Sequence, residues 1–168
     1  MPPAVMHPRA AELIARLGMR PHPEGGHFCE VYRSASLVVP DDDRSQRPSL
    51  TTIYFLLQAG GHSALHRVFS DEIWHFYEGD PLELIWWDAS TDALSQATLG
   101  EVDSGAARRP VAVVPAGWWQ AARTTGAYTL VGCTVGPGFD YVDFAMLRDD
   151  AEATRELRGR RPELAAWL

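Results

Sequence analysis

Apolar residues near the start of the chain recur at Ala10, Leu13, Ile14 and Leu17, the i, i+3, i+4, i+7 stripe by which one face of an α-helix meets a core. Gly18 follows the last of them and is suited to a left-handed helix cap. A short helix over about 9–18 is predicted. The other end of the chain carries a similar signature. Asp149 and Asp150 precede AEATRELRGR as capping residues, and Pro162 opens a last turn running to Trp167, so helices are expected over about 149–167.

Between about 27 and 145 the rhythm changes to alternation or to short apolar runs. HFCEVYRS, LTTIYFLLQ, SALHRVFS, IWHFYEG, LELIWWDA, ALSQATLG, VAVVP, WQAAR and AYTLVGCTV are strand-sized and rich in β-branched and aromatic residues. Turn chemistry separates them, as at Gly60-Gly61, Gly79-Asp80-Pro81, Ala116-Gly117 and Gly136-Pro137-Gly138. PDDDRSQRPS, Pro40 to Ser49, is the least apolar stretch and is read as an exposed loop. The pattern predicts an all-β sandwich or barrel in one domain, 1–168, with helices packed outside.

Composition narrows the partners. A chain of 168 residues buries about two-thirds of its unfolded surface and needs no disulfides. Cys29 and Cys133 lie inside apolar runs and are expected as buried free thiols. A net charge of -7 and a pI near 5.3 lack the clustered cations that displace counterions from phosphates, so no nucleic acid is expected. No run approaches the roughly 20 apolar residues that cross a bilayer. The first residues, MPPAVMHPRAAELIARLG, lack a basic segment followed by an apolar one. No membrane partner is expected, and a cytoplasmic location is. G-x-S-x-G, H-E-x-x-H and C-x-x-C are absent, which removes the serine hydrolase, zincin and thiol-redox readings.

Chemistry-bearing residues concentrate in HRVFSDEIWHFYEG, His66 to Gly79, and in VPAGWWQ, Val114 to Gln120. Five residues separate Gly60 from His66, Glu72 lies six after His66, and six separate Glu72 from Gly79. This spacing resembles the first motif of the cupin superfamily, and Pro115-Ala116-Gly117 followed by Trp118-Trp119-Gln120 resembles the second. PEGGHF (Pro23 to Phe28), YRS (Tyr32 to Ser34), DEIWHFYEGDPLEL (Asp71 to Leu84), VPAGWWQAA (Val114 to Ala122) and LVGCTVGPGFDYVDF (Leu130 to Phe144) together look like the stand-alone cupin-5 family, long held as a domain of unknown function. That resemblance implies a cupin double-stranded β-helix, or jelly roll, with a short N-terminal helix and C-terminal helices. It also implies a homodimer and a pocket whose reaction is not generally established.

Metal-binding cupins commonly offer three histidines and a glutamate; the corresponding positions here are His66, Val68, Glu72 and Gln120. Valine cannot coordinate, and a glutamine carbonyl is a weak ligand for metals that favour imidazole. The expectation is no cofactor, with a divalent Zn, Fe, Ni or Mn held by His66, Glu72 and Gln120 as the alternative. His62 shares strand parity with His66 and would add a ligand if the strand reaches it.

Without a metal, the same groups suit proton transfer, as in metal-free cupin epimerases. His66 is then the base, Glu72 its partner and Tyr77 or Tyr54 the acid. Alternation from an inward Glu72 turns Trp74 and Phe76 inward and His75 and Tyr77 away, unless a bulge intervenes. His75 therefore stays open between pocket and outer face. Gln120, Trp74, His75, Tyr54, Trp119 and Arg33 are candidate ligand-binding residues, and Glu24 and His27 candidate rim residues. The expected ligand is a small molecule, anionic or sugar-like. The leading expectation is an isomerase, epimerase or lyase, with a non-catalytic metabolite-binding cupin and a metal-dependent oxygenase-like cupin as rivals.

Overall fold

A computed structural model describes residues 6–102, 105 and 107–168. The first helix, α1, spans Pro8–Leu17. The His7 side chain accepts the Arg9 N–H at one end, and Gly18 closes the other at φ 62°. The second, α2, spans Ala151–Arg160 under an Asp150 cap that accepts from the N–H groups of Glu152 and Ala153. A 3-10 turn, Pro162–Trp167, follows.

The strands of four or more residues are β1 (His27–Arg33), β2 (Thr51–Gln58), β3 (Ser63–Arg67), β4 (Asp71–Gly79), β5 (Leu82–Asp88), β6 (Ala93–Leu99), β7 (Val111–Val114), β8 (Trp119–Thr124) and β9 (Tyr128–Gly136). One sheet runs in the order Arg20–Pro21, β1, β2, β9, β4, β7. The other runs Arg108–Arg109, β6, β5, β8, β3, Ala145–Met146. Pairing is antiparallel throughout except at the Arg108–Arg109 edge.

Alternation sorts the side chains into layers, because successive residues of a strand point to opposite faces. Phe28, Phe55, Leu57, Trp74, Val131 and Cys133 of the first sheet meet Leu82, Leu84, Leu99 and Ala122 of the second between the sheets. Outside the first sheet, Leu56 and Leu130 pack against Ala10 and Leu13 of α1. Outside the second, Leu65, Ile85, Trp87 and Trp119 pack against Leu157, Leu164 and Trp167. Each such leucine or aromatic contributes about 1.5–3 kcal/mol by leaving water. Two facing sheets with flanking helices match the all-β architecture that the pattern predicts and the jelly roll that the resemblance implies.

Two local readings change. The stretch from Pro40 to Ser49 is not wholly a solvent loop: Arg47–Pro48 pairs with Leu37–Val38, and Arg47 is only 4% exposed. Its guanidinium is ion-paired with Asp143, as is that of Arg44 at 3.2 Å. A buried cation needs such a partner, and Asp143 lies too far along the chain for local pattern to reveal it. Second, β4 carries a bulge against β9, where Leu130 and Val131 oppose Glu78 and Phe76, leaving Tyr77 as the extra residue. Among the described residues, no helix is long and apolar enough to cross a membrane.

Candidate functional site

A cavity of about 400 Å³ opens between the sheets near one end. Its floor holds Glu24, His66 and Glu72; Ile53, Val68 and Val135 form apolar walls; Phe139, Tyr141 and Phe144 rise beside the mouth. His66 and Glu72 reach it from β3 and β4 at the motif spacing, and Gln120 from β8 lies directly opposite His66 in the β3–β8 ladder.

Hydrogen bonds fix each floor group. Gln120 Nε2 donates to Glu72 Oε2 at 2.5 Å, and Gln120 Oε1 accepts from the Trp74 indole N–H at 2.8 Å. An indole N–H can only donate, so it dictates which way the amide faces. His66 Nδ1 lies 2.8 Å from the Ala64 carbonyl, and His66 Nε2 lies 3.2 Å from Glu24 Oε2. Glu24 Oε1 accepts from the Ser63 hydroxyl at 2.8 Å. Phe144 stacks on the His66 ring, centroids 5.6 Å apart.

Burial governs the protonation of all three groups, since a charge is poorly solvated there. Desolvation pushes Glu24 up to about 7, against the opposing pull of His22 and the Ser63 bond. It pushes Glu72 up to about 7 as well; His66, Gln120 and Cys133 oppose the rise, and the Glu24 charge adds to it. Desolvation lowers His66, partly offset by Glu72 and the Ala64 carbonyl. The Cys133 thiol, buried beside these acids, is raised well above its ordinary range. It is a proton donor there and not a thiolate.

The sequence-selected residues divide sharply. His66, Glu72, Gln120 and Trp74 come together, with Trp74 behind Gln120 and not on the cavity surface. Arg33 lines the cavity, but its guanidinium is held by Glu30 at 2.8 Å and by the Phe139 carbonyl at 3.2 Å. Tyr77 does not reach the cavity. It is 49% exposed on the outer face of the first sheet, its ring lying across Gly132. Tyr54 and His75 stand beside it at ring distances of 5.9 Å and 6.5 Å. The bulge falls after His75, so the alternation that turns His75 outward is undisturbed. Trp119 is buried on the outer face of the second sheet, with Arg67 4.4 Å over its ring. His62 also lies outside the cavity, edge-on to Trp167.

The proposed metal set does not fit. The Gln120 carbonyl is taken by Trp74 and its amide N–H faces Glu72. Val68 supplies no donor, and the Nε2 of His66 faces Glu24. Among the described residues, no group of three or more His, Cys, Asp or Glu side chains is arranged to hold a metal ion. His27 lines a separate cleft with His7 and Gly60. Sequence reasoning placed Glu24 only at the rim and passed over His22; PEGGHF was a signal for Glu24 alone, since the contacts of Glu24 to His66 and to His22 are made by folding.

No curated protein matches the chain in sequence. Solved structures do. A protein of Shewanella oneidensis is 32% identical, covers 94% of this chain and 92% of its own, and superposes with a TM-score of 0.78. A hypothetical protein of Leishmania major is 32% identical over 94% of each chain, with a TM-score of 0.79. Oxalate decarboxylase of Bacillus subtilis, at 14% identity, matches over 77% of this chain and 30% of its own with a TM-score of 0.56, a likeness of fold. The profile of the family described as Cupin superfamily (DUF985) matches residues 11–147, and the chain belongs to that cupin-5 family.

Proposed function

We propose that the protein is a small-molecule enzyme of isomerase, epimerase or lyase type that moves a proton on a ligand held in the barrel cavity. The observation that carries this reading is the meeting of one buried imidazole and two buried carboxyls on the floor of a single cavity. Groups poised near neutral pH suit general acid/base work, and perturbed groups in a cleft mark a candidate site. The substrate is a small carbonyl or hydroxyl compound, anionic or sugar-like. Its polar end meets the floor, and an anionic end meets Arg20, which packs 5.0 Å over Phe28 at the cavity edge.

The test begins with a thermal-shift screen of hydroxy and oxo acids and sugars, followed by incubation of each hit in D2O. A proton-transfer enzyme places deuterium on the ligand carbon, and His66→Ala loses that exchange while still folding. A ligand that binds and keeps all its carbon-bound hydrogens favours the metabolite-binding cupin instead. An active His66→Ala would remove His66 from the chemistry.

The protein is proposed to work as a homodimer. Tyr32, Tyr77, Val111 and Val113 are between 44% and 52% exposed on the first sheet, and registers with Thr52, Ile73 and His75 put them on one outer face. An uncovered apolar face of this kind favours a partner. Light scattering reads the mass, with Val113→Asp expected to give monomer.

A further inference from the structure

The two carboxyls of the floor face opposite kinds of neighbour. Glu24 Oε2 lies 3.2 Å from His66 Nε2 and 3.4 Å from His22 Nδ1. Both nitrogens carry lone pairs. The Ala64 carbonyl beside His66 Nδ1 has no hydrogen to give, so the single N–H of that neutral ring sits at Nδ1 and leaves Nε2 bare. His22 Nδ1 accepts the backbone N–H of Glu24 at 3.3 Å, so it is bare too. An ionised oxygen between two lone pairs is repelled; a carboxylic O–H at the same place donates. The Ser63 hydroxyl donates to the other oxygen, Oε1, at 2.8 Å, as suits the carbonyl end of a neutral acid.

Glu72 meets donors instead. Gln120 turns its N–H to Glu72 Oε2 because Trp74 occupies the amide oxygen, and the Cys133 thiol donates as well. Donors stabilise the ionised form. Burial brings both carboxyls to about 7, so these local contacts decide which one holds the proton. Paired groups whose surroundings push them apart reveal the acid and the base.

We propose that Glu24 is the general acid of the site and Glu72 its general base, with His22 and His66 as positioning residues that hold the Glu24 proton. This assignment rests on the acid/base reading above; it replaces His66 by Glu72 as the base, and Tyr77 or Tyr54 by Glu24 as the acid. The substrate it fits carries a C–H beside a carbonyl, as in a hydroxyketone, an aldose or an oxo acid. Glu72 takes the carbon-bound proton, the C–H electron pair forms the C=C bond, and the carbonyl π pair moves to oxygen, which takes the proton from Glu24. The enol is then reprotonated at carbon while Glu24 recovers its own proton from the enol oxygen. No oxidant or reductant is consumed. The Glu24 anion formed midway faces two lone pairs, which drives that recovery.

The protonation states are read without a substrate, by infrared spectroscopy of the carboxyl stretch at about pH 7 in the native protein, Glu24→Gln and Glu72→Gln. Circular dichroism establishes that each variant is folded. The native protein is expected to show the band of a buried neutral carboxylic acid, and Glu24→Gln weakens it more than Glu72→Gln does. Nitrogen-15 NMR of His66 is expected to report a bare Nε2. The assignment fails if the band disappears in Glu72→Gln and survives in Glu24→Gln. It also fails if the native protein carries one divalent metal ion per chain that Glu24→Gln releases, since a cation would then sit where the proton is assigned. Neither readout depends on turnover, so a lack of deuterium exchange overturns the acid and base roles while the protonation states of Glu24 and Glu72 are still decided by the infrared and NMR results. With a substrate in hand, Glu24→Gln is expected to lower kcat by about 10²- to 10⁴-fold.

Discussion

Replacing Glu72 with glutamine keeps the shape of the side chain and removes its titration, which makes the burial of that carboxyl measurable. In the folded protein the group is pushed from an ordinary 4.5 up to about 7. The native state therefore holds a proton that the unfolded chain has already released, and stability falls as pH rises across that interval. At about 1.4 kcal/mol per pH unit, the gap corresponds to about 3 kcal/mol. That contribution is fully present below about 4.5 and gone above about 7. His22 and His66, both lowered by burial, act with the opposite sign, but they are present in both proteins and largely cancel in the difference. Urea melts followed by tryptophan fluorescence at successive pH values give that difference. The native protein should lose about 3 kcal/mol relative to Glu72→Gln on going from acid to mildly alkaline pH, about 6–12 °C in Tm for a domain of this size. A difference that does not vary with pH, or that grows in favour of the native protein as pH rises, would refute the burial argument.

Asp143→Ala leaves the buried Arg47 guanidinium without its main partner and should cost about 3–5 kcal/mol in chemical denaturation, with Asp143→Asn milder. Trp74→Phe strips the Gln120 carbonyl of its donor and should cost about 1–3 kcal/mol, read as a lower urea midpoint. Two left-handed glycines separate strain from crowding. A Cβ at Gly18 meets nothing within 4 Å, so Gly18→Ala should cost about 1–2 kcal/mol. A Cβ at Gly26 would stand 2.7 Å from the Leu56 carbonyl oxygen and 2.8 Å from a Leu57 methyl, so Gly26→Ala should lower the Tm far more. Tyr77→Phe should leave deuterium exchange unchanged, because the hydroxyl lies outside the barrel.

The period of the hydrophobic pattern carried the fold: helices at both ends, strands between, and punctuation at glycines and prolines. Within the site, His66, Glu72 and Gln120 were legible because two motifs fix their spacing along the chain. Alternation alone also sorted Trp74 and Phe76 from His75 and Tyr77, and the burial of Trp74 agrees with it. The candidate acid was nonetheless sought among tyrosines, where chemistry suggested one and geometry did not provide it. Glu24 was read only as a rim residue and His22 escaped, because both belong to a segment before β1 whose path over the cavity is set by tertiary contacts, Ser63 and His66 among them. Arg47 was misread for the same reason, since the polar composition of its neighbours hides a partner 96 positions away.

Gln120 belongs to one sheet, while Glu72 and Trp74, which it joins, are alternate residues of a strand in the other. One amide therefore seams the barrel and orients the Glu72 carboxyl with the same two bonds. A variant survey scored by cellular abundance would class Gln120 with the buried leucines, and one scored by turnover would class it with the machinery. Replacing the chemistry of this pocket by design thus requires re-seaming the two sheets in the same step, so changes at positions 72, 74 and 120 should be epistatic and selected together rather than one at a time.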